Sequence, residues 1–189
     1  MKIYLIRHGR TTANEEKRYS GKQDVKLSES GKKELFSIKQ ELSHINGLPS
    51  FISTLSRTRQ TKEILLPDSE VIDQLSFMNE TDFGDFEGKT YSDLKHDKNY
   101  NNWLSNITEN KPRNGESFSS FKERVVPAFK EHIMKQETDT VYVTHGGVIR
   151  IIMSEIADKK VPFFNWEIPN GKGYILIVEN KEVVSYQKI

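Results

Sequence analysis

Two short apolar runs in this chain end in the same way. Ile3-Tyr4-Leu5-Ile6 leads into Arg7-His8-Gly9, and Val141-Tyr142-Val143 leads into Thr144-His145-Gly146-Gly147. Neither run alternates apolar with polar residues, so each must be covered on both faces, as in a central parallel strand with helices above and below. The intervening sequence supplies such helices. Leu35, Ile38, Leu42 and Ile45 recur at helical spacing and predict a helix starting near Ser28. Phe51 to Thr54, after the breakers Gly47 and Pro49, reads as a third strand. A second helix is expected from about Arg57 to Leu66, stopping before Pro67, with Val71-Ile72 as a further short strand.

Residues 74–116 have a different texture. Asp, Asn, Lys, Gly and aromatic residues crowd there without a long period, predicting an irregular, cap-like insertion over the site with short helices around Tyr91 to Leu104. Phe118, Phe121, Val125, Phe129 and Ile133 then mark a longer helix, in which Pro127 predicts a kink or an early start. Gly173 to Val178 and Val183 to Tyr186, joined across Asn180-Lys181, predict a hairpin at the sheet edge. The fold expected is α/β: a three-layer αβα sandwich with a mostly parallel central sheet and one or two antiparallel edge strands. Residues 1–189 are expected to form one domain.

Composition narrows the chemistry. With no cysteine, a thiol nucleophile, a Cys-ligated metal and a disulfide are all excluded, so a nucleophile must be oxygen or nitrogen. Lys and Arg total 28 against 27 for Asp and Glu, a net charge of +1, so no strong field draws nucleic acid or an anionic membrane. No stretch approaches the roughly 18 apolar residues of a membrane span, and the opening apolar run is too short for a secretory signal. A cytoplasmic protein without nucleic-acid or membrane partners is expected, its oligomeric state left open.

The carboxyl edge of an open α/β sheet is where ligands bind, and glycine beyond a strand lets the backbone approach them closely. If the two runs are neighbouring strands, His8 and His145 meet there. Arg7 and Arg57 would then bring two guanidiniums to the same edge, whose forks match phosphate oxygens. His44, His96 and His132 lie among helical surface charges and are expected to be solvated, as is the run from Lys95 to Asn102. Trp103 and Phe118 are expected in the core of the inserted segment, with the wall of a substrate pocket as the alternative.

Arg7-His8-Gly9-Arg10-Thr11, with Asn14 following, resembles the signature of the histidine phosphatase superfamily, the phosphoglycerate mutase-like proteins. Further segments resemble that family in order. They are Ser20-Gly21 with Asp24, Leu27, Ser28 and Gly31; STLSRTRQT from Ser53; ETDFGDFEG from Glu80; Gly115-Glu116-Ser117; and THGGVIR from Thr144. The resemblance implies that His8 is the nucleophile, its other ring nitrogen donating to a backbone carbonyl, while Arg7, Arg57, His145, Asn14 and the Gly146 amide neutralise the phosphoryl oxygens. It implies that Glu80 protonates the leaving group and then activates water, its pKa raised by apolar surroundings near Phe83 and Phe86. Asp82, Asp85 and Glu87 compete for that role, and Glu80 is preferred on motif position alone.

Ser20 and Gly21 are implied to touch substrate, and no metal or cofactor is implied. Arg10 replaces a residue that is often acidic in the family and is expected to face solvent, with binding of an extra anionic group as the alternative. The chain lacks the longer insertions of typical cofactor-dependent mutases, and its His-Gly-Gly-Val-Ile-Arg differs from their usual His-Gly-Asn-Ser-Leu-Arg. Hydrolysis of a small phosphorylated metabolite is therefore expected, with α-ribazole 5'-phosphate as a candidate. Phosphoglycerate mutase activity and a non-catalytic phosphate-binding module are the alternatives.

Overall fold

The computed structural model describes residues 1–189. Strand β1 (Lys2–Arg7) is followed by the single turn α1 (Thr12–Glu15), helix α2 (Glu29–Ile38), strand β2 (Ser50–Ile52), helix α3 (Ser56–Leu65) and strand β3 (Val71–Gln74). After the short helices α4 (Tyr91–Leu94) and α5 (Lys98–Ser105) come α6 (Phe118–Met134), β4 (Thr140–Thr144), α7 (Gly146–Ile152), β5 (Gly173–Glu179) and β6 (Glu182–Lys188). The strands form one six-stranded sheet in the order β3-β2-β4-β1-β5-β6. Its first four strands run parallel, β5 runs antiparallel to β1, and β6 runs antiparallel to β5.

Alternation along the strands divides the core into two layers. Ile3 and Leu5 of β1 and Tyr142 of β4 join Val125 and Phe129 of α6 and Ile149 of α7 on one face. Tyr4, Ile6, Val141 and Val143 face the other way, onto Leu35 of α2 and Leu65 of α3. The α/β sandwich is thus as its sequence predicts, with helices covering both sheet faces.

Several local expectations shift for identifiable reasons. Ser28 caps α2 by accepting from the Gly31 N–H, but the α-helix ends at Ile38 and the predicted stripe continues to Ile45 as a 3₁₀ segment, Lys39–Ile45. Strand β2 stops at Ile52, before Ser53 and Thr54. Helix α6 runs through Pro127 without ending. Pro127 and Glu123, whose carbonyl loses its amide partner, both face solvent, where water satisfies the carbonyl, while Val125, Phe129 and Ile133 pin the opposite face. The β5–β6 hairpin turns at Asn180 and Lys181, both at positive φ (49° and 68°), the conformation of a type I′ turn. The helical segment after His145 was not predicted; it continues from α7 into a π-helical turn at Met153–Ala157.

Two side-chain expectations are corrected. His132 is not a solvated surface histidine: it is half-buried, its Nδ1 lies 2.8 Å from the Tyr142 hydroxyl, and its ring meets Phe51 edge-on at 4.5 Å. The helical stripe of α6 ends beside it, so the ring closes the core there. Phe118 does not enter a core cluster; it stands half-buried on the wall of a cavity described below. Trp103 does pack in a core, a small cluster with Phe86, Leu94 and Tyr100 inside the 74–116 segment, and it lines the same cavity. His44, His96 and Arg10 are exposed as expected, Arg10 pairing with Glu34 at 3.2 Å. No helix is long and apolar enough to cross a membrane.

Candidate active site

Strands β1 and β4 are adjacent and parallel, with Arg7 opposite Thr144. The next residue of each strand is a histidine, so the register brings His8 and His145 together: their ring centroids are 5.1 Å apart at an interplanar angle of 61°. Both are buried, at 5% and 0% exposure. Main-chain bonds fix the edge, the His8 N–H donating to the Thr144 carbonyl (2.9 Å) and the Gly9 N–H to Thr61 Oγ1 of α3 (2.9 Å).

Hydrogen-bond partners assign both tautomers. His8 Nδ1 lies 2.7 Å from the Gly9 carbonyl, which can only accept. Nδ1 therefore carries the proton and Nε2 keeps a free lone pair. At His145, Nδ1 accepts from Arg57 Nε–H (3.2 Å), so Nε2–H donates to Ser53 Oγ (2.8 Å). Burial first, and then the positive charges of Arg57 and Arg7, push the His8 pKa well below that of an ordinary histidine. Burial, followed by Arg57 and then His8, does the same for His145. Both rings are thus held neutral.

The guanidiniums flank this pair. Arg57, 1% exposed, donates through Nη1 to the Gln23 carbonyl (2.8 Å) and through Nη2 to the Gly21 carbonyl (2.7 Å). Arg7 donates through Nη1 to the Ile168 carbonyl (2.7 Å), while its Nε is buried without a partner. A Cβ placed on Gly146 would stand 3.3 Å from that Nε, so the Gly146 backbone lies against the guanidinium. Burial lowers both arginine pKa values, opposed chiefly by the charge of Glu80; guanidinium stays protonated across the working range regardless.

Glu80 is therefore close to both arginines, and the backbone holds it. Its Oε1 accepts from the Thr81 N–H (3.0 Å) and its Oε2 from the Gly147 N–H (2.9 Å). A Cβ on Gly147 would lie 2.2 Å from Oε1, so a side chain there would displace the carboxylate from this position. The apolar shell expected around Glu80 is only partial: Phe86 is buried in the 74–116 cluster, and the carboxylate's direct partners are amides. Glu80 instead stands between two clefts. One, of about 450 Å³, is polar and includes Asn79, Asp82 and Arg124. The other, of about 290 Å³, is walled by Phe83, Trp103, Phe118, Phe121 and Phe163, with Gly147 and Arg150 beside Glu80. The other carboxylates of the acid loop have different partners. Asp82 meets Lys22 and the Gly84 N–H, Asp85 meets Arg113 and Asn114, and Glu87 accepts from backbone amides.

The remaining predicted positions divide. Asn14 Oδ1 caps α1 by accepting from the Thr11 N–H (3.1 Å), and its Nδ2 donates to no protein group. Ser20 Oγ is buried without a partner. Gly21 has both backbone groups committed within the protein, its N–H to Glu87 and its carbonyl to Arg57, and a Cβ there would sit 1.7 Å from the Thr81 carbonyl oxygen. Gly21 thus permits a close crossing of two loops. Sequence reasoning did not single out Ser53, the partner of His145; its place one residue beyond β2, on the edge that yielded both histidines, was the available signal. No group of three or more His, Asp or Glu side chains gathers in a metal-binding arrangement.

The sheet thus presents two neutral, buried imidazoles and two guanidiniums at its carboxyl edge, an arrangement suited to an oxyanion. The chain belongs to the histidine phosphatase superfamily, branch 1, whose family description matches residues 3–187; its members include phosphatases and mutases. A relative from Salmonella typhimurium, "Adenosylcobalamin/alpha-ribazole phosphatase", is 30% identical over 82% of this chain and 79% of its own. A "Probable phosphoglycerate mutase GpmB" from Erwinia tasmaniensis is 27% identical over 82% and 74%. The crystal structure of a putative alpha-ribazole-5'-P phosphatase from Escherichia coli superposes with a TM-score of 0.87 at 24% identity, covering 100% of this chain and 94% of that one, and so shares the fold.

Proposed function

We propose that this enzyme hydrolyses phosphomonoesters whose alcohol carries a flat, apolar group, by way of a phosphohistidine on His8. The observation that carries the reading is the position of Glu80 between the arginine-flanked histidine pair and a cavity walled by aromatic side chains. A phosphate at Arg7 and Arg57 would direct its ester oxygen toward Glu80 and its alcohol into that cavity.

In the first step the Nε2 lone pair of His8 forms a bond to phosphorus as the bond to the ester oxygen breaks. Protonated Glu80 gives its proton to the departing alkoxide. In the second, Glu80 as carboxylate takes a proton from water, whose oxygen bonds to phosphorus as the P–Nε2 bond breaks. Arg7, Arg57, the Gly146 amide and Asn14 Nδ2 stabilise the equatorial oxygens. His145, with both ring nitrogens engaged, serves by orienting Arg57 and by excluding water from the pair. Ser20 Oγ is assigned a substrate contact, and Gly21 supports Arg57.

In this reading residues 1–189 act as one catalytic domain with 74–116 as its cap, acting in the cytoplasm on a small phosphorylated metabolite. α-Ribazole 5'-phosphate, with its flat apolar benzimidazole, suits the cavity and agrees with the name of the Salmonella relative. One observation favours a second reading, phosphoglycerate mutase activity. Arg150 lines the cavity, bonded through Nε to the Trp166 carbonyl (3.0 Å) and paired with no carboxylate, and could receive a substrate carboxylate. The apolar balance of the cavity places that reading second.

The test compares wild type with His8→Ala on p-nitrophenyl phosphate, then ranks α-ribazole phosphate, phosphoglycerates and sugar phosphates by kcat/KM. Loss of turnover in the variant and a preference for aromatic esters are expected. Equal rates in the two proteins would refute the nucleophile, and isomerisation faster than phosphate release would make the mutase reading the better one.

A further inference from the structure

We infer that Glu87 is a positioning residue for phosphate binding, clamping the 21–23 strap whose carbonyls aim the Arg57 guanidinium. The inference rests on the reading of Arg57 as a phosphate ligand.

The carboxylate of Glu87 accepts from a row of successive amides. The Gly21 N–H lies 3.1 Å from each oxygen, the Lys22 N–H 2.9 Å from Oε1 and the Gln23 N–H 3.4 Å from Oε2. The Phe83 N–H donates to Oε1 as well, at 3.0 Å. Several amides converging on one carboxylate form charge-assisted bonds, stronger than neutral ones and directional enough to fix a loop. The same strap presents its carbonyls to Arg57: Gly21 to Nη2 and Gln23 to Nη1. One residue further on, Asp24 accepts from the Ser56 N–H (2.7 Å) and Ser56 Oγ (2.6 Å) at the start of α3, the helix that carries Arg57. The strap is therefore tied to the arginine's helix on one side and to Glu87 on the other.

Arg57 is a long side chain with several rotatable bonds, and an unconstrained guanidinium would lose its aim. His145 holds its Nε, its Nη groups bond only to the two strap carbonyls, and the strap's amides are held by Glu87 alone among side chains. The Phe83 bond adds a second link, because Phe83 lines the aromatic cavity. Cavity wall, strap and guanidinium thus meet at one carboxylate, so a displacement of the wall reaches the phosphate site through Glu87.

The test uses orthovanadate, a phosphate mimic, with p-nitrophenyl phosphate kinetics and thermal melting. Glu87→Ala is expected to raise the vanadate Ki and lower kcat/KM by about 10- to 100-fold, by analogy with loss of the groups that orient metal ligands. Adding Glu87→Ala to Arg57→Ala should change Ki by less than about 2-fold, since coupled residues are not additive. Asp85→Ala, in the same loop but bonded to Arg113 and Asn114, should leave Ki unchanged. Glu87→Gln covers the case in which the alanine variant does not fold. It retains the shape but turns amide donors toward amide donors, and its Ki should also rise. A wild-type Ki in Glu87→Gln, or fully additive losses in the double variant, would overturn the inference. A wild-type Ki in Arg57→Ala would instead overturn the phosphate-site reading beneath it.

Discussion

Holding two imidazoles neutral in the interior makes this fold sensitive to mild acid. His8 and His145 have pKa values well below 6.5 when folded, whereas in the unfolded chain each returns to about 6.5. Between those limits the unfolded chain binds more protons, so stability falls as pH decreases from about 7 and continues to fall until the folded pKa values are reached. The unfolded-state pKa alone sets a ceiling: between pH 7.5 and 5.5 each histidine favours unfolding by at most about 1.4 kcal/mol, and the pair by at most about 2.7 kcal/mol. With a urea m-value of about 2 kcal/mol/M, the midpoint falls by up to roughly 1.3 M. The carboxylates with depressed pKa values, Glu15, Glu29, Asp85, Asp93 and Glu131, act in the same sense, but only as pH falls toward 4 and below, outside this window. His132 shifts in the same direction as the pair, mainly through burial. The assay is urea unfolding at pH 7.5 and 5.5 for wild type and for His8→Gln/His145→Gln, comparing the pH dependence of each rather than absolute stability. Most of the dependence should vanish in the double variant. A wild-type midpoint unchanged between the two pH values would refute the placement of two neutral histidines in the core.

Glu80→Gln should slow hydrolysis of alkyl phosphates by about 10²- to 10⁴-fold, the usual worth of a general acid, and that of p-nitrophenyl phosphate much less; equal losses measured on both would argue against proton donation. Arg7→Ala or Arg57→Ala should each cost on the order of 10²- to 10³-fold in kcat/KM, as for loss of an oxyanion donor, and near-normal kinetics would place the phosphate elsewhere. Trp103→Ala should reduce kcat/KM for aryl phosphates by roughly 10- to 100-fold, equivalent to about 1.5–3 kcal/mol of lost burial, while sparing small alkyl phosphates; a uniform loss across the series would mean that the cavity does not take the alcohol. Phosphate release should persist in EDTA, and chelator-sensitive activity restored by a divalent ion would overturn the metal-free scheme.

The parts of the site legible in the sequence are those fixed by backbone geometry. Continuous apolar strands ending in His-Gly locate both histidines, because strand direction and sheet edge follow from local pattern and topology. Arg57 was also readable, as a residue opening the helix beyond β2. The roles of Ser53, Gly147 and Glu87 were not, because each depends on a contact between loops far apart in sequence: Ser53 to His145, Gly147 to Glu80, and Glu87 to Gly21 through Gln23. His132 was misread for a related reason. Its charged neighbours on α6 describe one helix face, whereas its environment is set by Phe51 and Tyr142 of two strands. Likewise, the apolar setting expected for Glu80 came from adjacent aromatic residues, one of which, Phe86, turns inward to fill the cap.

The insertion of β4 between β2 and β1 bears on how this enzyme comes into being. On a ribosome, the first histidine emerges long before the strand that must lie beside it, so a nascent or truncated chain lacking β4 holds most of the recognisable motifs and no working centre. Pairing across so many residues carries a large loop-closure cost and is slow. Phosphate release therefore reports a centre closed by long-range strand pairing, and its recovery during refolding should lag behind the return of helical signal.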